Sequence, residues 1–159
     1  MSFLQIQDEA VRQRFAQAVK SLTNTQRLAA TLERILVSQT LQNFHANGRP
    51  KWAGLSPVTL AIYRKQGITP QGILQRSAGG LRDSVQGDHD QNTVTVGAGS
   101  GKSAAYAPIH QFGGMAGRNR KVKIPARRYL PMNPSGFLQP EAETAIDHTA
   151  TAFLSNMFK

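Results

Sequence analysis

No cysteine occurs anywhere in the 159 residues. The chain therefore holds no disulfide, no thiolate zinc site and no cysteine nucleophile, a usage that suits a reducing compartment. Acid is scarce as well, with nine Asp and Glu against nineteen Lys and Arg and a formal net charge of +10. No apolar run approaches the ~20 residues that a membrane-spanning helix needs. The opening "MSFLQIQDEAVRQRF" puts glutamines and acids where a signal peptide carries a basic and then an apolar stretch. These absences lead us to expect a soluble chain, made inside the cell, without membrane contact. The length suits a single domain, 1–159, with a core of its own.

What charge there is lies unevenly. The acids fall into three groups: Asp8, Glu9 and Glu33; Asp83, Asp88 and Asp90; Glu141, Glu143 and Asp147. Residues 34–82 carry seven Lys or Arg and no acid, and residues 91–140 again carry seven and none. So one-sided a surface attracts polyanions or acidic protein faces. Plain solubility and satisfied helix C-termini would also account for it.

Periodicity divides the chain into three parts. Residues 1–48 read as helical. In 8–21 the helical spacing runs through Val11, Phe15, Ala18 and Val19, and on to Leu22. A longer stripe of Leu28, Leu32, Ile35, Leu36 and Phe44 stops at Asn47-Gly48. Residues 49–131 read as a loop and β core. They include one well-punctuated short helix, with Ser56 as N-cap, Pro57 at the first position and Gly67 as terminator. In the turn-rich stretch that follows, residues 68–85, Ile73, Leu74 and Leu81 are the expected burial points. A hairpin is expected over about 82–98, turning at "DHDQN", and a further strand over about 119–125. Residues 139–158 read as a C-terminal amphipathic helix, with Ile146, Ala150, Phe153, Leu154 and Met157 on its apolar face. The fold class is thus α+β: a helix-dominated domain whose small antiparallel sheet packs against N- and C-terminal helices.

The letters G-S-G-K-S at 99–103 invite a nucleotide-hydrolase reading, and the spacing refuses it. A phosphate loop needs Gly, four residues, then Gly-Lys-Ser/Thr. Counting back from Gly101-Lys102-Ser103 puts Val96 where the first glycine must stand. Loop length decides how backbone N–H groups wrap phosphate, so this shortfall is physical. Pro108 and Gly113-Gly114 also interrupt the long helix such a loop must enter, and residues 91–140 offer no acid to hold Mg²⁺.

Other chemistry is equally thin. His45, His89, His110 and His148 lie far apart, and Asp88-His89-Asp90 sits where a hairpin turn favours Asp for backbone reasons. No catalytic, cofactor-binding or metal-binding residue is assigned, and no cofactor is expected. The strongest electrostatic feature is Arg118, Arg120, Lys121, Lys123, Arg127 and Arg128, with Tyr129 beside it. It could grip a phosphate backbone, which keeps a basic nucleic-acid-binding module as the alternative function. No helix-turn-helix, zinc-finger or ribonucleoprotein signature accompanies it, and "GGMAGRNRK" has the glycine of a mobile loop that orders on a protein partner.

The order of motifs is itself informative. Trp52, Leu55 and Thr59 are followed by "RSAGGL" with Leu81. Tyr106-Ala107 then leads to His110-Gln111-Phe112-Gly113-Gly114, and Ile124-Pro125-Ala126-Arg127 comes before Leu130. Over about residues 40–131 by motif, and over the whole chain by layout, this resembles the phage virion morphogenesis family, the tail-completion proteins of long-tailed bacteriophages and Mu-like prophages. Two departures concern loop geometry: Arg128 stands where the family often has a second proline, and "RSAGGL" loosens its usual Thr/Ser-Gly-x-Leu turn.

The resemblance implies a non-enzymatic structural protein, acting late in assembly at the neck where tail meets head, as a homo-oligomeric ring. Connector and tail-terminator proteins would be its partners. Its place would be the virion, after a period in the host cytoplasm, with non-specific DNA contact left open. On that footing 99–105 (Gly99, Gly101, Lys102) and 113–123 (Arg118, Arg120, Lys121, Lys123) are expected to be docking loops that order on assembly. Trp52, Leu55, Leu81, Tyr106, His110, Gln111, Phe112, Gly113, Pro125 and Arg127 are expected to support the fold by packing and hydrogen bonding.

Overall fold

A computed structural model describes residues 25–157, together with Gln13, Ala16, Gln17, Val19 and Lys20, which are helical. Apart from those five, the helix expected over 8–21 lies outside the described residues. Helix α1 spans Gln26–His45. It ends where Asn47-Gly48 predicts, with Asn47 at φ +53° and Gly48 at φ +98°. The Gly48 N–H reaches back to the Asn43 carbonyl (2.7 Å) and the Asn47 N–H to that of Phe44 (3.1 Å). This paired closure satisfies the helix's last carbonyls. A Cβ on Gly48 would stand 2.6 Å from both the Pro50 carbonyl oxygen and Trp52 Cγ, so the turn needs glycine for space as well as for φ.

Helix α2, Pro57–Lys65, has the cap its sequence announces: Ser56 Oγ accepts the Thr59 N–H at 3.1 Å. It closes in the same manner, the Ile68 N–H bonding the Tyr63 carbonyl at 2.9 Å. The remaining helices are α3, Ala107–Phe112, and α4, Pro140–Met157. A 3₁₀ turn over Arg82–Ser84 precedes strand β1, Gln86–His89, which pairs antiparallel with β2, Val94–Gly97. Asp90 makes the turn between them by accepting the N–H groups of Asn92 (2.6 Å) and Thr93 (2.7 Å).

The expected strand near 119–125 is β4, Val122–Ile124, and its partner is β3, Gly114–Ala116. The fold is therefore α+β and helix-dominated, with two separate two-stranded antiparallel sheets. The stretch read as a mobile glycine loop holds the second of them. Its short β-branched partner segment at 122–124 is enough to pair with 114–116 across the bend at 117–121, which contains Asn119 at φ +59° and Arg120 at φ +52°.

Helix α1 is the element on which α4 and the first hairpin pack. The core is small and aromatic. Phe44 is fully buried, stacked on Tyr129 at 5.6 Å between ring centres and edge-on to Trp52 at 5.8 Å. Leu81 and Ala107 complete it, with Leu74, Val85 and Leu130 against its sides. Beyond Phe44, the buried positions in the second half of α1 are polar: Gln39, Thr40 and Asn43. Asn43 Nδ2 donates to the Tyr129 carbonyl (3.1 Å) and to Gln139 Oε1 (2.9 Å), while its Oδ1 accepts from Arg49 Nε (2.8 Å). Gln139 Nε2 then donates to the Arg49 carbonyl at 2.7 Å. Satisfied in this way, buried amides stabilise and orient the pieces they join.

Candidate assembly faces

The glycine-rich segment 99–105 is ordered as a 3₁₀ turn over Gly101–Ala105. Ser103, the residue a phosphate loop would turn toward Mg²⁺, points inward. Its Oγ donates to the Ser100 carbonyl at 2.8 Å and lies 3.2 Å from Ser84 Oγ, which in turn accepts the Gly99 N–H at 2.8 Å. Gly99, at φ +104°, leaves room for the Ala107 methyl, and Lys102 stands in solvent. Strand β2 enters this turn antiparallel to β1, and the helix beyond it, α3, has six residues. Among the described residues no group of three His, Cys, Asp or Glu could hold a metal ion. No described helix is long and apolar enough to cross a membrane.

The family-motif residues sort into two sets. Gln111, on α3, is buried, and its Oε1 accepts the N–H groups of Tyr129 (3.0 Å) and Leu130 (3.1 Å). Both neighbours are donors, so the oxygen must be the atom presented to them. Tyr129 OH returns a bond to the Ala107 carbonyl at 3.1 Å, and burial raises the pKa of this phenol above its ordinary 10.0. Arg127 is buried and forks onto two carbonyls, Nε to Ala53 (3.0 Å) and Nη2 to Gly54 (2.8 Å). Burial lowers its pKa, with nearby Tyr63 acting in the opposite direction. Trp52 joins the same ridge by donating Nε1–H to the Arg128 carbonyl at 3.2 Å.

His110 is half-buried against Tyr106, with ring centres 5.8 Å apart, and its pKa is held below 6.5 by burial first and Arg127 second. His110 Nδ1 and Gln111 Nε2 find no hydrogen-bond partner among the described residues. Gly113 ends α3 at φ +75°, where a Cβ would sit 3.0 Å from the Ala126 nitrogen. Phe112 is a correction to the expected packing role: it is 66% exposed. A side chain one step along α3 from buried Gln111 faces outward, and here it lies two residues before β3 begins.

That hairpin, β3 and β4, carries the expected basic residues Arg118, Arg120, Lys121 and Lys123, all exposed. Its apolar side chains are uncovered too, Met115 at 50% and Val122 at 53%. Two grooves flank the Arg127 ridge. One, of about 630 Å³, is lined by Leu55, Leu81, Tyr106, His110, Pro125 and Arg127 among others. The second, of about 470 Å³, is lined by Trp52, Ala126, Arg128 and the start of α4. The structure thus brings Leu55, Leu81, Tyr106, His110, Pro125 and Arg127 into one place, and it separates them from Lys102.

Periodicity misses the Asn43–Arg49–Gln139 network, because buried polar residues leave no apolar signature. It also passes over the turn at 133–137. There the only signal is Asn-Pro-Ser-Gly, whose residue types favour turns.

The described surface thus offers a basic, exposed hairpin and two grooves on either side of the Arg127 ridge. The chain belongs to the phage virion morphogenesis family, whose model matches residues 6–154. The family's description names virion assembly and no reaction. Among individual proteins, it is similar to the Mu-like prophage FluMu G protein 2 of Haemophilus influenzae, 35% identical over 136 residues, which cover 85% of this chain and 81% of that protein. No solved structure matches.

Proposed function

We propose that this morphogenesis protein is a structural subunit of the virion neck, completing the tail where it meets the head, and that it works as a ring-forming subunit without catalysis. The observation that carries this reading is the β3–β4 arm. A lone two-stranded hairpin is marginally stable in water. This one leaves Phe112, Met115 and Val122 uncovered beside four exposed cations. A neighbouring protein surface that buries the apolar flank and meets the basic bend would complete it. Connector and tail-terminator proteins are the proposed neighbours, and the pinned turn at 99–105 is a second, smaller contact through Lys102.

In a phage that depends on this gene, the quadruple change of Arg118, Arg120, Lys121 and Lys123 to Gln should leave unjoined heads and tails and lower the yield of virions at least tenfold. Undiminished yield from a folded variant would overturn the docking role of the arm. The same exposed cations favour one second reading, a nucleic-acid grip. Four phosphate contacts would make log affinity for duplex DNA fall against log salt with a slope of about −3 to −4. The neck reading expects the variant's loss of yield without any such binding by the wild-type chain.

A further inference from the structure

We propose that a second copy of this chain seats its Phe137 turn in the groove beside the β3–β4 arm. This rests on the self-assembling reading above and names the two faces it needs. The turn comes first. Asn133 Oδ1 accepts the N–H groups of Ser135 (2.9 Å) and Phe137 (3.0 Å), and the Asn133 N–H donates to the Phe137 carbonyl at 2.7 Å. The Gly136 N–H closes on the Asn133 carbonyl at 3.1 Å. Four hydrogen bonds therefore fix the backbone of a turn whose aromatic ring is 71% exposed, with Leu138 partly exposed next to it. A rigid backbone that holds phenylalanine in water is preorganised to insert it elsewhere, because little conformational freedom remains to be lost on docking.

The groove fits such an insert. Its apolar walls include Leu55, Tyr63, Ile68, Leu74 and Ile124, and no lining residue is acidic. Arg76, laid over the Tyr63 ring at 5.6 Å, and Lys123 give it positive edges. The incoming turn brings the matching charge: Glu141 and Glu143 follow within a few residues, in the first turn of α4, and both are exposed. Neither they nor Arg118, Arg120 and Lys123 form an ion pair among the described residues, where the one such contact is His89 with Glu33. Opposite charges kept apart within one chain are available to meet between chains.

Knob and socket also lie on different sides of the ridge. Alternate residues Pro125 and Arg127 line the socket groove, whereas Ala126 and Arg128 line the other one, which also holds Asn133 and Glu141 from the knob's base. A contact between two different patches is heterologous, and repeating it produces a ring when the rotation closes.

Because the chain lacks cysteine, any disulfide must come from introduced residues. Phe137→Cys and Val122→Cys proteins, mixed under mild oxidation, should form a cross-linked heterodimer at least roughly tenfold faster than a control mixture of Leu154→Cys with Val122→Cys. Phe137→Ala should weaken self-association, measured by sedimentation, by roughly tenfold or more, the effect expected of a buried aromatic anchor. Glu141→Lys with Glu143→Lys should weaken it too, and mixing that variant with Lys123→Glu should restore it. Cross-linking no faster than the control, unchanged association of Phe137→Ala, or a wild-type chain that stays monomeric at millimolar concentration would each overturn the proposal. A monomeric chain that still completes tails would do so and remove the ring from the neck reading, while leaving the chain's place at the neck intact. A phage that joins heads to tails without the gene would overturn the neck reading instead.

Discussion

Replacing Gln111 by methionine isolates one atom's contribution to the fold. The residue is 1% exposed, and its Oε1 is the acceptor for two consecutive backbone N–H groups, those of Tyr129 and Leu130. Methionine keeps an unbranched side chain of similar length and removes that acceptor. Each buried donor left without a partner costs about 1–3 kcal/mol. Leu130 is only half-buried and can recover part of its loss to water, so the two together come to about 3–4 kcal/mol. Against this, the substitution also deletes Nε2, which has no partner among the described residues, and returns about 1–2 kcal/mol. The net expectation is a loss of about 2 kcal/mol, or a fall in Tm of roughly 4–8 °C for a chain of this size. Urea unfolding followed by the fluorescence of Trp52, the single tryptophan, reads it directly. The midpoint should drop with the slope unchanged. Phe112→Ala, one residue away and exposed, is the control and should stay within about 0.5 kcal/mol of wild type. If Gln111→Met matched that control, the claim that this amide oxygen pins the Tyr129 segment would be refuted.

The remaining expectations concern the same few segments. His110 is held below 6.5 by burial and then by Arg127, so the unfolded chain takes up its proton first as pH falls. Stability should therefore decline below about pH 6.5 and level off once pH passes the folded value, and His110→Gln should show a shallower decline between about pH 7.5 and 5.5. Identical profiles would sink that assignment. At the 99–105 turn, Ser103→Ala should cost about 1 kcal/mol through its lost hydrogen bonds, whereas exposed Lys102→Ala should be near neutral. A measured ATPase abolished by Lys102→Ala would reverse the reading of this turn.

Much of the architecture was legible because its causes are local. Ser56-Pro57 and Gly67 bracket α2, Asn47-Gly48 ends α1, and Asp90 turns the first hairpin, each by short-range backbone chemistry that residue type alone expresses. The apolar stripe of α1 led correctly to Phe44, yet Leu28, Leu32, Ile35 and Leu36 are only half-buried, and the deepest neighbours of Phe44 on that helix are Thr40 and Asn43. The partners of Asn43, Gln139 and Tyr129, lie 96 and 86 residues away. No periodicity carries such pairing. The second hairpin was hidden for a related reason: three-residue strands give too short an alternation to stand out from a glycine-rich loop. The site was legible as a set of residue types in order. Its division by the Arg127 fork into two grooves was not, since that fork binds backbone carbonyls, which every residue has.

The polar pins have an evolutionary consequence. A core held by volume tolerates drift among aliphatic residues, because leucine, isoleucine and methionine can trade places with modest losses. Asn43, Gln111 and Arg127 admit no comparable synonyms, since each is chosen for where its donors or acceptors point. Lineages of this chain are then free to rewrite α2's outer surface and the bend at 117–121 to suit new neighbours. The amide and guanidinium positions, whose errors cannot be absorbed by repacking, remain as fixed points, and new docking specificities can be tried without disturbing the body that presents them.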